Sequence, residues 1–309
     1  MSTRRLHYRL GLNQPAASPT ARRLAEMAAA IGDESDGELR IEVFPEGRLG
    51  LDPEMLADLR AGRLEFYLSG ALLGDLAASS VLPMMPFAFR ESQTVFGALD
   101  GALGDRIRGE LATHRIHAFR HTWQNGFHHL TTASRPVGEA ADLAGLKIRS
   151  PGGALAEDFF RSLGAEAGYV PFNRMYGALK AGQFDGQSDP LGVVLSLRLY
   201  EVQAHLSLTG HWWSGFTLLA NADLWATLPA ALQQAVERNA EKYALLQRLD
   251  VEAVNAAGAE ELARRGMIVD TADTASFRAK LGPFYARRRE QAGAAAWRLL
   301  EAYAGAVAG

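Results

Sequence analysis

Apolar and polar residues alternate from Leu6 to Leu12 (LHYRLGL), the two-residue period of a half-buried strand. Ser18-Pro19 follows, a capping hydroxyl and a ring that presets φ for a first helical turn, which predicts a helix through Ile31. Alternation returns from Leu39 to Phe44 (LRIEVF) and closes on Pro45-Glu46-Gly47. Asp52-Pro53 repeats the cap-plus-proline signal for a helix ending at Gly62, and Leu64 to Ser69 is the next strand. Strands and helices in alternation predict parallel βαβ units, hence an α/β sheet with helices on both faces.

A helical stretch follows around Thr94 to Leu111. Two strand patterns, Ile116 to Thr122 and Phe127 to Thr132, flank a turn expected at Trp123-Gln124-Asn125-Gly126. Leu146 to Arg149 is a strand, Gly152 to Leu163 a helix ending at Gly164, and Asn173 caps another that stops at Gly182. From Pro229 to Arg265 a helical pattern continues through Gly258, well beyond the ~25 residues at which a helix needs a reason. Without a heptad seam, that reason is a bridge between two lobes. Thr274 to Ala304 is a final Arg-rich helix. MLADLRAGRLEF from Met55 is echoed by MYGALKAGQFDG from Met175, each a helix that ends at glycine and feeds a strand.

Length agrees with two lobes, since 309 residues exceed one compact core. A net charge of -3 gives no electrostatic case for nucleic acid or an anionic membrane. Cysteine is absent, which removes disulfides, thiolate metal sites and cysteine nucleophiles while fitting either redox compartment. No apolar run approaches the ~20 residues of a membrane span. MSTRRLHYRLGL lacks an apolar signal core, so the chain is expected either in the cytoplasm or as a secreted protein whose signal has been removed.

Catalytic signatures are missing: no G-x-S-x-G elbow, phosphate-binding loop, dinucleotide fingerprint or H-E-x-x-H pair occurs. His117, His121, His128 and His129 cluster, but packed or surface histidines explain them without a metal. Carboxylates such as Glu237 and Glu241 sit at solvent-facing helical positions. The balance favours a binding module over an enzyme.

LKIRSPGG places Arg149 at a strand end before a Pro-Gly break. Ligands of open α/β sheets sit beyond the carboxyl ends of strands, and arginine grips a carboxylate with two parallel N–H···O bonds. The competing reading is an ion pair within the protein. Phe172, after Pro171, either walls a pocket or staples the next helix; Asp189-Pro190 either reaches a pocket or opens a turn. Trp212 and Trp213 are adjacent in a strand-like region, so at most one lines a cleft.

Taken in order, IEVFPEGRLG, LPMMPFAFR, GLKIRSPGG, PFNRMYGALKAGQFDGQSDP, LYEVQAHLSLTGHWW and LPAALQQAV resemble the solute receptors of tripartite ATP-independent periplasmic (TRAP) transporters, from about Tyr8 to the last helix. The resemblance implies a two-lobed periplasmic-binding-protein-like α/β fold with hinge strands and a long lobe-bridging helix. The lobes are expected at 1–124 with 215–250 and at 125–214 with 251–309, the long helix of about 229–265 spanning both. It further implies a periplasmic receptor that captures a small organic acid without turnover and passes it to TRAP membrane permease subunits. A monomer without a cofactor is expected, and no metal-ligating residue is assigned.

The resemblance assigns the bidentate carboxylate contact to Arg149 and a pocket wall to Phe172. Asn13, Ser69, Trp123, Trp212 and Trp213 complete the candidate lining. Two departures bear on ligand. Asp189 stands where many members have asparagine, and an acid beside an anion repels it unless protonated or bonded to a ligand hydroxyl. His128 stands where many have a second arginine, which disfavours a dicarboxylate and leaves a neutral imidazole for a hydroxyl or keto group. The favoured ligand is a hydroxy or keto monocarboxylate with a bulky or aromatic substituent. The alternatives are a carboxylate-processing enzyme using His128 and Asp189, and a receptor serving a signalling partner.

Overall fold

The computed structural model describes residues 5–151 and 153–307, so the chain ends and the expected helix start at Gly152 lie outside the described residues. Strand β1 (Leu6–Gly11), helix α1 (Pro19–Glu34), β2 (Leu39–Phe44), α2 (Asp52–Arg60) and β3 (Phe66–Ser69) form a parallel unit in the order β2-β1-β3. Ser18 caps α1, its Oγ accepting the Ala21 N–H at 3.1 Å. Leu24, Met27 and Ile31 bury one face of that helix. At α2 the cap differs from the expected one. Leu51 holds the N-cap position and its N–H donates to the Glu54 carboxylate at 2.8 Å, which leaves the Asp52 side chain free for other partners.

The single helix expected around 94–111 is two, α3 (Ser92–Asp100) and α4 (Ala102–Ala112), because Gly101 between them has non-helical angles (φ -107, ψ -149). After β4 (Ile116–Ala118), the expected turn at 123–126 is instead the start of a long strand, β5 (Trp123–Thr132). Gly126 adopts φ 123 within it, opposite a register shift at Ser214/Gly215, so the glycine serves a bulge rather than a hairpin.

A second unit follows: β6 (Lys147–Ser150), α5 (Ala154–Ser162), β7 (Glu166–Tyr169), α6 (Met175–Lys180) and β8 (Gly186–Pro190), in the order β7-β6-β8. Asn173 lies in a short 3-10 turn, Phe172–Arg174, and does not cap α6. The echoed segments are α2–β3 and α6–β8. In both, the glycine after the helix is left-handed, Gly62 at φ 71 and Gly182 at φ 68.

The chain continues through α7 (Leu191–Ser196), β9 (His205–Leu208), β10 (Trp213–Asn221), α8 (Ala222–Thr227), α9 (Ala230–Arg264), β11 (Ile268–Thr271), α10 (Thr274–Arg278) and α11 (Gly282–Ala304). The sheet path is β2-β1-β3-β10-β5-β8-β6-β7, with β4 on β10, and β9 joining β5 to β11. Antiparallel β5 and β10 therefore cross between the two halves and act as hinge strands. The expected final helix is interrupted twice, between α10 and α11 and at Gly293 (φ 77).

Helix α9 has 35 residues, about 52 Å at 1.5 Å per residue. Towards the first half, its Asp250 accepts from Arg23 of α1 at 2.6 Å and its Gln247 donates to Thr20 at 2.8 Å. Towards the second, Asn255 accepts the Gly192 N–H at 2.9 Å, and Gly258 lies so close to Leu191 that a Cβ there would come within 2.6 Å. The helix bridges the lobes, and its glycine is a packing requirement.

Candidate ligand-binding site

A cavity opens between the halves at the carboxyl ends of β1, β3, β6 and β8. Asn13, Gln14, Asp52 and Gly70 line it from the first half. Arg149, Tyr169, Phe172 and Asp189 line it from the second, and Asn125, His128, Trp213 and Ser214 from the hinge strands.

Strand alternation explains Arg149. Ile148 is fully buried in the core, so its neighbour projects to the other face, together with Gln187 and Asp189 of the adjoining β8. Arg149 is 2% exposed. Its Nη1 donates to Asp189 Oδ2 at 3.0 Å, while Nε and Nη2 donate to the Val170 carbonyl at 3.3 and 3.2 Å. Three of its five N–H groups are thus engaged by these partners. Burial pushes the Asp189 carboxyl up to about 6, against the opposing pull of Arg149. The two readings open in the sequence meet here, because the arginine is both ion-paired and on the cavity wall.

His128 lies in a buried chain of hydrogen bonds. Asn125 donates to Ser214 Oγ at 3.1 Å; Ser214 Oγ meets His128 Nε2 at 2.7 Å, and His128 Nδ1 meets Ser188 Oγ at 3.0 Å. Ser188 continues to His211 Nε2 at 2.9 Å, and His211 Nδ1 to Thr209 at 2.7 Å. Burial lowers His128 to about 3 and His211 well below the usual histidine range, so both rings are neutral. A neutral imidazole has one donor and one acceptor, and each hydroxyl can do both. The chain therefore has two self-consistent polarities, and Ser214 offers the cavity a donor in one and an acceptor in the other.

Across the cavity, Asp52 accepts from Asn13 Nδ2 at 2.9 Å and from the Tyr67 hydroxyl at 2.6 Å. Tyr169 is 44% exposed; burial raises its phenol, Asp52 adds to the shift and Arg149 opposes it. That ring stands where the fields of the two halves overlap.

Trp213 lines the cavity with Phe96 edge-on behind it, ring centroids 5.9 Å apart. The structure does not bring Trp212, Trp123 or Ser69 to the cavity wall, contrary to expectation, and packing gives the reason. Trp212 is wedged against Phe159 and His211 at 4.9 and 4.5 Å. Trp123 is fully buried in the core of the first half. Ser69 is fully buried too, and its neighbour Gly70 reaches the wall instead. Asp52, Asn125, Tyr169 and Ser214 are lining residues that sequence reasoning missed. Asp52 was absorbed by a capping signal and Asn125 by a turn signal; Ser214 and Tyr169 carried none. Among the described residues, no cluster of three or more His, Asp or Glu could hold a metal ion.

Two α/β halves joined by hinge strands, with a guanidinium in the cleft between them, define a ligand-capturing receptor. The chain belongs to family 7 of the bacterial extracellular solute-binding proteins (DctP), whose sequence profile matches residues 10–291. A solute-binding protein of Verminephrobacter eiseniae is 32% identical over 273 residues, 87% of this chain and 81% of that protein. The 2,3-diketo-L-gulonate-binding periplasmic protein YiaO of Escherichia coli is 31% identical over 71% of this chain and 66% of its own. Among solved structures, the sugar acid binding protein DctPAm of Advenella mimigardefordensis, in complex with galactonate, superposes with a TM-score of 0.92 at 25% identity, covering 97% of this chain and 98% of that one. A TRAP periplasmic solute-binding protein of Polaromonas, bound to D-erythronate, gives 0.91 at 26% identity over 98% of this chain and 100% of that one. Proteins of this family bind small organic acids, work with a membrane permease, are periplasmic and are not enzymes. No helix among the described residues is long and apolar enough to cross a membrane.

Proposed function

We propose that this chain captures a hydroxy or keto monocarboxylate bearing a bulky or aromatic substituent, with the carboxylate on Arg149, and delivers it to TRAP permease subunits. The observation that carries the reading is the buried Arg149 guanidinium on the cavity wall, the place where an acid can be desolvated and gripped at once. His128 is held neutral, so a second carboxylate would find no positive partner there. Ser214, able to donate or accept, suits a hydroxyl or a keto oxygen equally. Similar proteins solved with D-erythronate and galactonate, and one named for binding 2,3-diketo-L-gulonate, take acids of this hydroxy or keto class. Trp213, Phe172 and Phe216 offer apolar surface to a larger substituent. The receptor acts as a monomer, its lobes divided near 124 and 215 where the hinge strands begin.

Thermal-shift screening with mandelate, 2-ketoisocaproate, galactonate and succinate tests the ligand class. Stabilisation by the bulky hydroxy and keto acids, and none by succinate, is expected. Stabilisation by succinate or galactonate with none by the bulky acids would overturn it.

A further inference from the structure

Arg149 does not present a bare positive charge to the cavity. Asp189 already occupies Nη1 from a position that is 3% exposed, and Asp52 faces the same space from the opposite half. Arg108 also lines the cavity, but it is bound to the Leu99 and Arg120 carbonyls and to Asp105. A ligand carboxylate that engages Arg149 therefore enters a site whose cation is already matched. Two carboxylates then share one guanidinium away from bulk water, an arrangement that forces one of them to hold a proton.

The hydrogen bonds identify which acid takes it. Asp52 accepts from Asn13 on one oxygen and from Tyr67 on the other, so both of its oxygens are engaged within its own half. Arg149 is the one charged group bonded to Asp189, and it is the group that the ligand would take over. The other titratable groups around Asp189 do not replace that charge. His129, its register partner on β5, accepts the Gly210 N–H at 3.1 Å and is held neutral by burial. His128 and His211 are tied into the serine chain, and Tyr169 on β7 is a neutral phenol. Burial raises the Asp189 carboxyl to about 6, so it takes up a proton more readily than an exposed aspartate although it is ionised in the ligand-free protein at pH 7.5.

We propose that capture of a ligand carboxylate by Arg149 is coupled to uptake of one proton by Asp189, so that the ligand enters the closed cleft together with a proton. The carboxylate replaces Asp189 on Nη1; the displaced carboxyl takes its proton from solvent and becomes a donor toward a ligand oxygen. Asp189 thereby sets both the pH dependence of binding and a preference for ligands with an acceptor oxygen near the acid. This rests on the reading that Arg149 holds the carboxylate.

Isothermal titration calorimetry of the full chain with mandelate, 2-ketoisocaproate and D-galactonate, in phosphate and in Tris at pH 7.5, counts protons taken up per ligand bound. For the wild type we expect one proton and a Kd that rises about tenfold per pH unit between pH 7 and 8.5. Asp189→Asn should bind with no proton uptake and a flat pH profile. Binding of a probe by Asp189→Asn alone at pH 8.5 also supports the proposal, because the variant lacks the charge that must be neutralised. Wild-type binding without a buffer-dependent enthalpy, or an unchanged slope in Asp189→Asn, overturns it while leaving the carboxylate reading intact. Failure of every probe with both proteins at pH 5.5 and 7.5 removes the carboxylate reading, and the proposal with it.

Discussion

The two halves of the sheet are built alike and loaded differently. In one, β1 lies between parallel β2 and β3; in the other, β6 lies between parallel β7 and β8, and β3 and β8 each meet a hinge strand antiparallel. The registers align position by position: Gly11 stands opposite Tyr67 as Arg149 stands opposite Gln187. Two residues further along β3 and β8 come Ser69 and Asp189. The pair Gly11 and Ser69 thus occupies in the first half the places held by Arg149 and Asp189 in the second. Space decides the difference. A Cβ on Gly11 would come within 2.7 Å of Met55 Sδ, so the first half closes its strand end with core packing. The second half leaves that place open to a guanidinium. Its partner contributes polar groups from a loop and a helix start, Asn13 and Asp52, so in the proposed function one half anchors the acid and the other closes over it.

Removing the anchor should have the largest effect. Truncating one partner of a buried charge pair costs ~2–5 kcal/mol, and at ~1.4 kcal/mol per decade Arg149→Ala should weaken binding roughly 30- to 3000-fold by calorimetry. Arg149→Lys should restore only part of this, since a point charge does not reproduce the planar fork. Binding within threefold of wild type in Arg149→Ala would place the anchor elsewhere.

At the equivalent place in the first half, substitution should be felt as stability. Gly11→Ala overpacks the core against Met55, costing ~1–3 kcal/mol in chemical denaturation, toward the lower end because a thioether can shift. An unchanged denaturation midpoint would show that the first half has the room denied to it here.

A third effect is a pH dependence of the ligand-free protein. Burial raises the Asp189 carboxyl to about 6 in the folded state, above the ~3.9 of an unfolded aspartate. The folded chain therefore binds this proton more tightly, so its contribution to stability is present below pH ~4 and is lost as pH rises through about 6. Relative to Asp189→Asn, the wild type should lose stability between pH 4 and 6 and then level off. Parallel curves for the two proteins would show that Arg149 fully offsets the burial of the acid.

Periodicity made much of this architecture legible. The predicted strand at Leu39–Phe44 matches β2, and the long helix differs by one residue at each end. Local chemistry failed where tertiary partners overrode it. Asn125-Gly126 has turn character, yet pairing with β10 keeps the strand running through it. Asp52-Pro53 has cap character, yet Tyr67 and Asn13 claim the carboxylate. Arg149 and Asp189 were each visible as candidates, but their bond was not. It joins residues 40 apart in sequence and depends on the register of β6 against β8. The serine–histidine chain was hidden for the same reason, since His128, Ser188 and Ser214 come from three different strands.

A crystal structure with a bound hydroxy or keto acid tests the central claim most directly. The expected result is a ligand carboxylate on the Arg149 guanidinium with Asp189 displaced from Nη1. Arg149 still bound to Asp189 and the Val170 carbonyl, with the acid held elsewhere, would contradict it.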